Sequence, residues 1–153
     1  KKSSRHSKIT GDFSEHLVLY WLSKHGFECA RIDHTGIDLL ARDPKSKRLM
    51  GISVKSRSRN PGTETDTISI PKSQLPKIEE ACKAFGCAPY FAIVADTEEM
   101  IQIFLVSLKN FLVIASRGKT SFGWKMKEKD VKRYWDLVPK KLYAFVFHYR
   151  NYQ

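Results

Sequence analysis

Cysteine is scarce in this sequence of 153 residues. Cys29, Cys82 and Cys87 are an odd set, and none sits in a CxxC or a paired Cys/His spacing, so neither a disulfide framework nor a structural zinc is supported. Reduced cysteines in an intracellular protein, of cytoplasm or nucleoid, are the expectation. Long apolar runs are missing as well. None approaches the roughly 20 residues needed to span a bilayer, and Lys1 to Lys8 (KKSSRHSK) has no apolar stretch of the kind a secretory signal carries, so no membrane partner is expected. There is no GxxxxGK(S/T) phosphate loop and no GxSxG elbow, which leaves a P-loop NTPase and a serine hydrolase of that type without support. Acidic residues are few: 16 Asp plus Glu stand against 27 Lys plus Arg, a formal charge of +11. A surplus of this size favours a polyanionic partner such as nucleic acid or an anionic membrane surface, and does not by itself choose between them.

What is present reads as one α/β domain, residues 11–153, behind a flexible basic tail, residues 1–10. Phe13, Leu17, Val18, Trp21 and Leu22 make an apolar arc at helical spacing, with Asp12 where an N-cap belongs and Gly26 where a helix stops. Three strands follow, Phe27–Ile32, Gly36–Arg42 and Arg48–Arg57, the last two joined by an Asp43-Pro44 turn. They form an antiparallel meander. Ile68–Ile70 reads as a short strand and Ser73–Phe85 as a helix closed by Gly86. Pro89–Ala95 is almost wholly apolar, as in a strand covered on both faces, and Ile101–Val106 is a further strand. Short helices are expected over Leu108–Ala115 and Lys127–Asp136. Leu142–Tyr149 reads as a strand, or as an aromatic surface for a partner such as RNA bases.

Two ionisable residues sit inside apolar strands. Asp38 lies between Ile37 and Leu39. Lys55 follows Met50, Ile52 and Val54 on the opposite face of its strand, together with Gly51, Ser53 and Arg57. A buried lysine is costly unless an anion meets it, and the hairpin brings Asp38 towards Ser53 and Lys55. Glu15 falls within the apolar arc of the first helix and is directed at the same sheet. Two carboxylates can hold Mg²⁺, with Mn²⁺ as a substitute. Such an ion polarises a phosphodiester and activates water, and a nearby lysine offsets charge growing on the phosphate. The plain alternatives stand beside this reading. Asp12-x-x-Glu15 has capping-box spacing, and Asp38 with Lys55 could be a structural ion pair. Lys45, Lys47, Arg48, Arg57 and Arg59 cluster near the hairpin and following loop; they are read as phosphate contacts flanking the site, or as a solvated face.

Glu15, then GID at Gly36–Asp38, then SVK at Ser53–Lys55, resembles the PD-(D/E)XK nuclease superfamily. It is most similar to archaeal Holliday-junction resolvases and Mrr-type endonucleases, over Gly11 to Val106. The resemblance implies a restriction endonuclease-like α/β fold, a mixed central sheet flanked by helices, and a divalent-metal-dependent DNA endonuclease. It implies catalytic roles for Glu15, Asp38, Ser53 and Lys55, metal ligation by Asp38 and Glu15, and a homodimer where a junction is cut. The family commonly has a polar residue where Gln74 stands. The departure is Ser53, at a position the family fills with Glu, Asp or Gln. Either Glu15 supplies the second acid, or Asp33, Glu64 or Asp66 has taken the role, or the chain is a non-enzymatic DNA-binding module.

Overall fold

The structure is a computed structural model and describes residues 1–149. The last four residues of the expected domain, 150–153, lie outside the described residues. The chain runs α1 (His6–Lys24), β1 (Glu28–His34), β2 (Ile37–Arg42), β3 (Leu49–Ser58), β4 (Ile68–Pro71), α2 (Gln74–Phe85), β5 (Ala88–Asp96), β6 (Met100–Ser107), α3 (Leu108–Ile114), β7 (Ser116–Arg117), β8 (Ser121–Trp124), α4 (Glu128–Asp136) and β9 (Tyr143–His148). Six strands form the main sheet in the order β1-β2-β3-β5-β6-β9. The meander β1-β2-β3 is antiparallel. β3 and β5 run parallel, because the connection through α2 carries the chain back to the same edge. A small second sheet has the order β4-β8-β7.

The apolar faces divide into two cores. Val18 and Leu22 of α1 cover Leu39, Ala41, Met50 and Ile52 on one face of the main sheet. Burying each such side chain contributes roughly 1.5–3 kcal/mol. Ile78 and Cys82 of α2, with Phe111, Trp124 and Tyr134, cover Phe91, Ile93 and Phe104 on the other. Trp124 stacks on Tyr134 with ring centroids 4.2 Å apart.

Three expectations are corrected here. Helix α1 begins at His6, so much of the segment expected as a flexible tail is helical. Gly11, which weakens a helix by about 1 kcal/mol relative to Ala, lies inside α1. Asp12 is therefore no N-cap, and Glu15 cannot close a capping box, which needs the third helical position. Phe13 is 48% exposed; the buried stripe runs instead through Ser14, Val18 and Leu22. Strands β7 and β8 were not foreseen. The aromatic strand at the end of the chain is β9, an edge paired to β6. Its Phe145 stacks on Trp21 at 4.3 Å, so that ring is spent on packing.

Gly36 of the GID run has a structural requirement of its own. Its φ is 98°, and a Cβ there would lie 2.2 Å from the Lys77 carbonyl oxygen of α2. Only glycine lets the β1–β2 turn pass this close to helix backbone, and that turn sets the start of the strand carrying Asp38.

Candidate active site

Paired positions between β2 and β3 run from Arg42/Leu49 to Leu39/Ile52 and stop there. Beyond that point a side chain replaces the ladder: the Val54 amide donates to Asp38 Oδ2 at 2.7 Å. Asp38 is thus fixed by backbone in a half-buried place. Ser53, next to Val54, is 4% exposed. Lys55 is half-buried, and its Nζ donates to Gln74 Oε1 at 2.9 Å, at the first residue of α2. Burial pushes the Lys55 ammonium below its ordinary value. The Asp38 charge opposes that shift, and Arg57 and Lys77 add to it.

Glu15 reaches this end of the sheet from α1. Arg31 of β1 donates to Glu15 Oε2 through Nε at 3.0 Å and Nη2 at 2.7 Å. Burial raises the Glu15 carboxyl above its ordinary value; the Arg31 bond opposes this and the Asp38 charge adds to it. Asp38 and Glu15 are therefore close enough to repel. Asp38 Oδ1 and Glu15 Oε1 stay outside the hydrogen bonds described. Two carboxylates, each with one oxygen outside these bonds, are a donor set of the chemistry Mg²⁺ takes, since it commonly binds one or two carboxylates and keeps its waters. No group of three or more His, Cys, Asp or Glu is placed to hold a metal among the described residues.

An open cleft of about 520 Å³ adjoins Lys55, lined by Lys2, His6, Thr10, Arg57 and Ser58 among others. The Lys2 ammonium donates to the Ser58 carbonyl at 2.9 Å. His6 Nε2 and Ser58 Oγ lie 3.0 Å apart, and Ser58 Oγ donates to Asp96 Oδ2 at 3.3 Å. Sequence reasoning missed this wall because it left residues 1–10 as a tail. It also missed Arg31, for which no spacing signal exists.

The expected phosphate contacts separate into two groups. Arg57 donates to the Ser69 carbonyl at 3.1 Å and Arg59 to the Asp66 carbonyl at 2.9 Å, both at the Lys55 end of β3. Lys45, Lys47 and Arg48 lie at the β2–β3 turn. Arg48 is seven residues from Lys55, about 20 Å at strand rise, so these three do not flank the site as expected. Of the alternative acids, Glu64 lines a different cavity with Glu98, Glu99 and Trp135. Asp66 meets Arg59 through its carbonyl oxygen. Asp33 is exposed near the end of β1, with no bond to the site. His34 turns towards Phe85, with ring centroids 5.0 Å apart, and leaves the site.

No protein-family model matches the sequence, and no curated protein matches it. Among solved structures, the chain is similar to Hjc, a Holliday junction resolvase from the archaeal hyperthermophile Archaeoglobus fulgidus. The TM-score is 0.58 and the identity 17%, over 80% of this chain and 88% of that one. At this identity the likeness establishes the fold: a nuclease-like mixed sheet flanked by helices, as the sequence led one to expect.

Proposed function

We propose that the chain is a DNA-binding protein of nuclease fold that hydrolyses phosphodiester bonds with a divalent metal. The observation that supports this most is the end of the β2–β3 ladder. There a carboxylate takes a backbone amide and a lysine is kept half-buried beside it. A half-buried lysine whose ammonium is pushed down, set near a carboxylate, is the kind of group that gathers at functional sites. Asp38 and Glu15 would hold Mg²⁺ or Mn²⁺, which when bound supplies charge to the phosphate and lowers the pKa of a bound water.

The chain's own groups do the rest. Lys55, steadied by Gln74, meets the phosphate oxygens and offsets their growing charge. Arg57 holds the neighbouring backbone. Ser53 offers a neutral hydroxyl where a third negative charge would tighten the ion, so metal affinity is low. The neighbour acts on Holliday junctions by name; a homodimer cutting branched DNA is the corresponding proposal for this chain, read by light scattering.

One observation favours a second reading. Arg31 makes two bonds to one Glu15 oxygen, and with Ser53 this could leave a module that binds DNA without cutting it. Nicking of supercoiled DNA during a Mg²⁺ or Mn²⁺ titration separates the two. The expected result is nicking that rises with metal and is absent in chelator. DNA binding with no nicking at any metal concentration would establish the second reading.

A further inference from the structure

The small β4-β8-β7 sheet lies outside the site and is bolted to it. Arg57 donates to Ser69 of β4 at 3.1 Å. Lys55 is held by Gln74, two residues beyond Lys72. The Lys72 amide in turn donates to the Thr120 carbonyl, in the β7–β8 turn, at 3.0 Å. This region is without acid in sequence: no Asp or Glu occurs between Asp66 and Glu79, or between Glu99 and Glu128.

Two of its cations lie over one aromatic ring. Lys72 Nζ and the Arg117 guanidinium each lie 5.6 Å from the centre of the Phe122 ring, and Phe122 is itself buried at 5% exposure. Lys119 projects at the turn between the two strands, exposed. The ion pairs among the described residues are Lys8–Asp12, Arg31–Asp12 and Arg31–Glu15, so none of these three cations meets a carboxylate. A cation fixed over an aromatic face has already lost much of its side-chain freedom, so less is lost when an anion arrives.

We propose that Lys72, Arg117 and Lys119 form a second contact surface for the phosphate backbone of a nucleic-acid strand leaving the Asp38/Lys55 site. The surface continues the row Lys55, Arg57 onto the β7–β8 hairpin. An acidic protein could meet isolated lysines, but the Arg57–Ser69 bond to this sheet, and the two-residue step from Lys72 to the Lys55 partner Gln74, favour one continuous polyanion. The proposal rests on the DNA-binding reading above.

The test is DNA affinity of the full chain in chelator, where no cleavage occurs, at several salt concentrations. Each phosphate contact contributes about 0.9 to the log–log salt slope on duplex DNA. The variant K72A/R117A/K119A should lower the slope by about 2 to 3 and weaken binding at least tenfold at low salt. The variant K72R/R117K/K119R, which keeps the charge, should retain the wild-type slope and shows that the hairpin tolerates substitution. The control K24A/K83A/K129A removes the same charge elsewhere and should change the slope by less than about 1. Equal slopes for the hairpin triple and the wild type, or equal losses for the hairpin and control triples, overturn the proposal while DNA binding stands. No DNA binding by the wild type overturns this proposal together with the reading it rests on.

Discussion

At the turn joining β2 and β3, Lys45, Lys47 and Arg48 stand in solvent. The carboxylate there, Asp43, accepts the Lys45 and Ser46 amides at 2.8 and 3.3 Å. Slight burial pushes the Asp43 carboxyl up, but those amides and the Lys45 charge hold it below its ordinary value. At the opposite end of the same two strands, Asp38 also accepts an amide, yet its cationic neighbour Lys55 is half-buried and its ammonium is pushed down. Both ends are rich in basic residues in the sequence. At the turn the fold favours the charged form of its carboxylate; at the open end it holds a lysine against the preference of its surroundings. This contrast in burial and charge separates the two ends, and counting lysines cannot reveal it.

The sharpest way to break this contrast is to remove the matched carboxylates. Asp38→Asn and Lys55→Met should each lower nicking by roughly a thousandfold or more. Asp43→Asn should leave nicking within about twofold and reduce stability by about 1 kcal/mol through its weakened turn bonds. Nicking rates together with urea unfolding of all three variants measure this. Comparable losses of nicking at Asp38 and Asp43 would erase the distinction between the two ends.

The next largest effect is expected at Ser53. A carboxylate at this buried place adds a negative charge near Asp38 and Glu15. Ser53→Glu should therefore be less stable in chelator by about 1–2 kcal/mol, recover with Mn²⁺, and bind Mn²⁺ about tenfold more tightly. Calorimetry on both proteins reads it. Equal metal affinity would mean that the wild-type donor set is already complete.

The elements up to β6 were legible because their cues are local. Pro-Tyr-Phe-Ala-Ile-Val-Ala at 89–95 can hardly be anything but a covered strand, and Gly26 and Gly86 mark two helix ends. Asp38 and Lys55 stood out because each is a charge inside an apolar strand, but among the described residues they form no ion pair: Asp38 meets the Val54 amide and Lys55 the Gln74 side chain. Arg31 was not: it looks like any exposed residue of an alternating strand, and only the third dimension brings it to Glu15. Strands β7 and β8 have two and four residues, too short for a period, and Trp124 is buried by contacts far away in sequence. The tail misled because Gly11 is a weak helix former, and the Lys2 and His6 contacts to Ser58 that help place the segment are 56 and 52 residues distant.

A smaller effect follows from the Lys55 shift. Its folded value lies below the unfolded one, so between the two the unfolded chain binds more protons. Stability then rises as pH climbs through that window towards the ordinary lysine range near 10.5. The cost is present at neutral pH and is relieved in alkali. Lys55→Met should accordingly exceed the wild type in stability at pH 7 by ~0.5 kcal/mol, modest because solvent still reaches the ammonium, and lose that advantage near pH 10. Urea unfolding at the two pH values tests the sign. An advantage that grows with pH would show that Asp38 outweighs burial.

The least effect is expected where the sequence carries the densest charge. Neutralising Lys45, Lys47 and Arg48 together removes three positive charges, but the three lie at the turn before β3, about 20 Å or more from Lys55 at strand rise, and their side chains are exposed. Arg48 alone has a side-chain partner in the core sheet, the Tyr90 hydroxyl at 3.4 Å. Exposed, unfixed cations beyond a Debye length of about 8–10 Å from the bound phosphates are largely screened. The triple alanine variant should therefore weaken DNA binding less than about threefold and change the log–log salt slope by less than 1. Arg57→Ala alone, at the open end, should change that slope by about 1. Titrations across a fourfold range of salt compare them directly. If the turn triple costs more slope than Arg57, the DNA runs the length of β3, and the turn becomes part of the binding face after all.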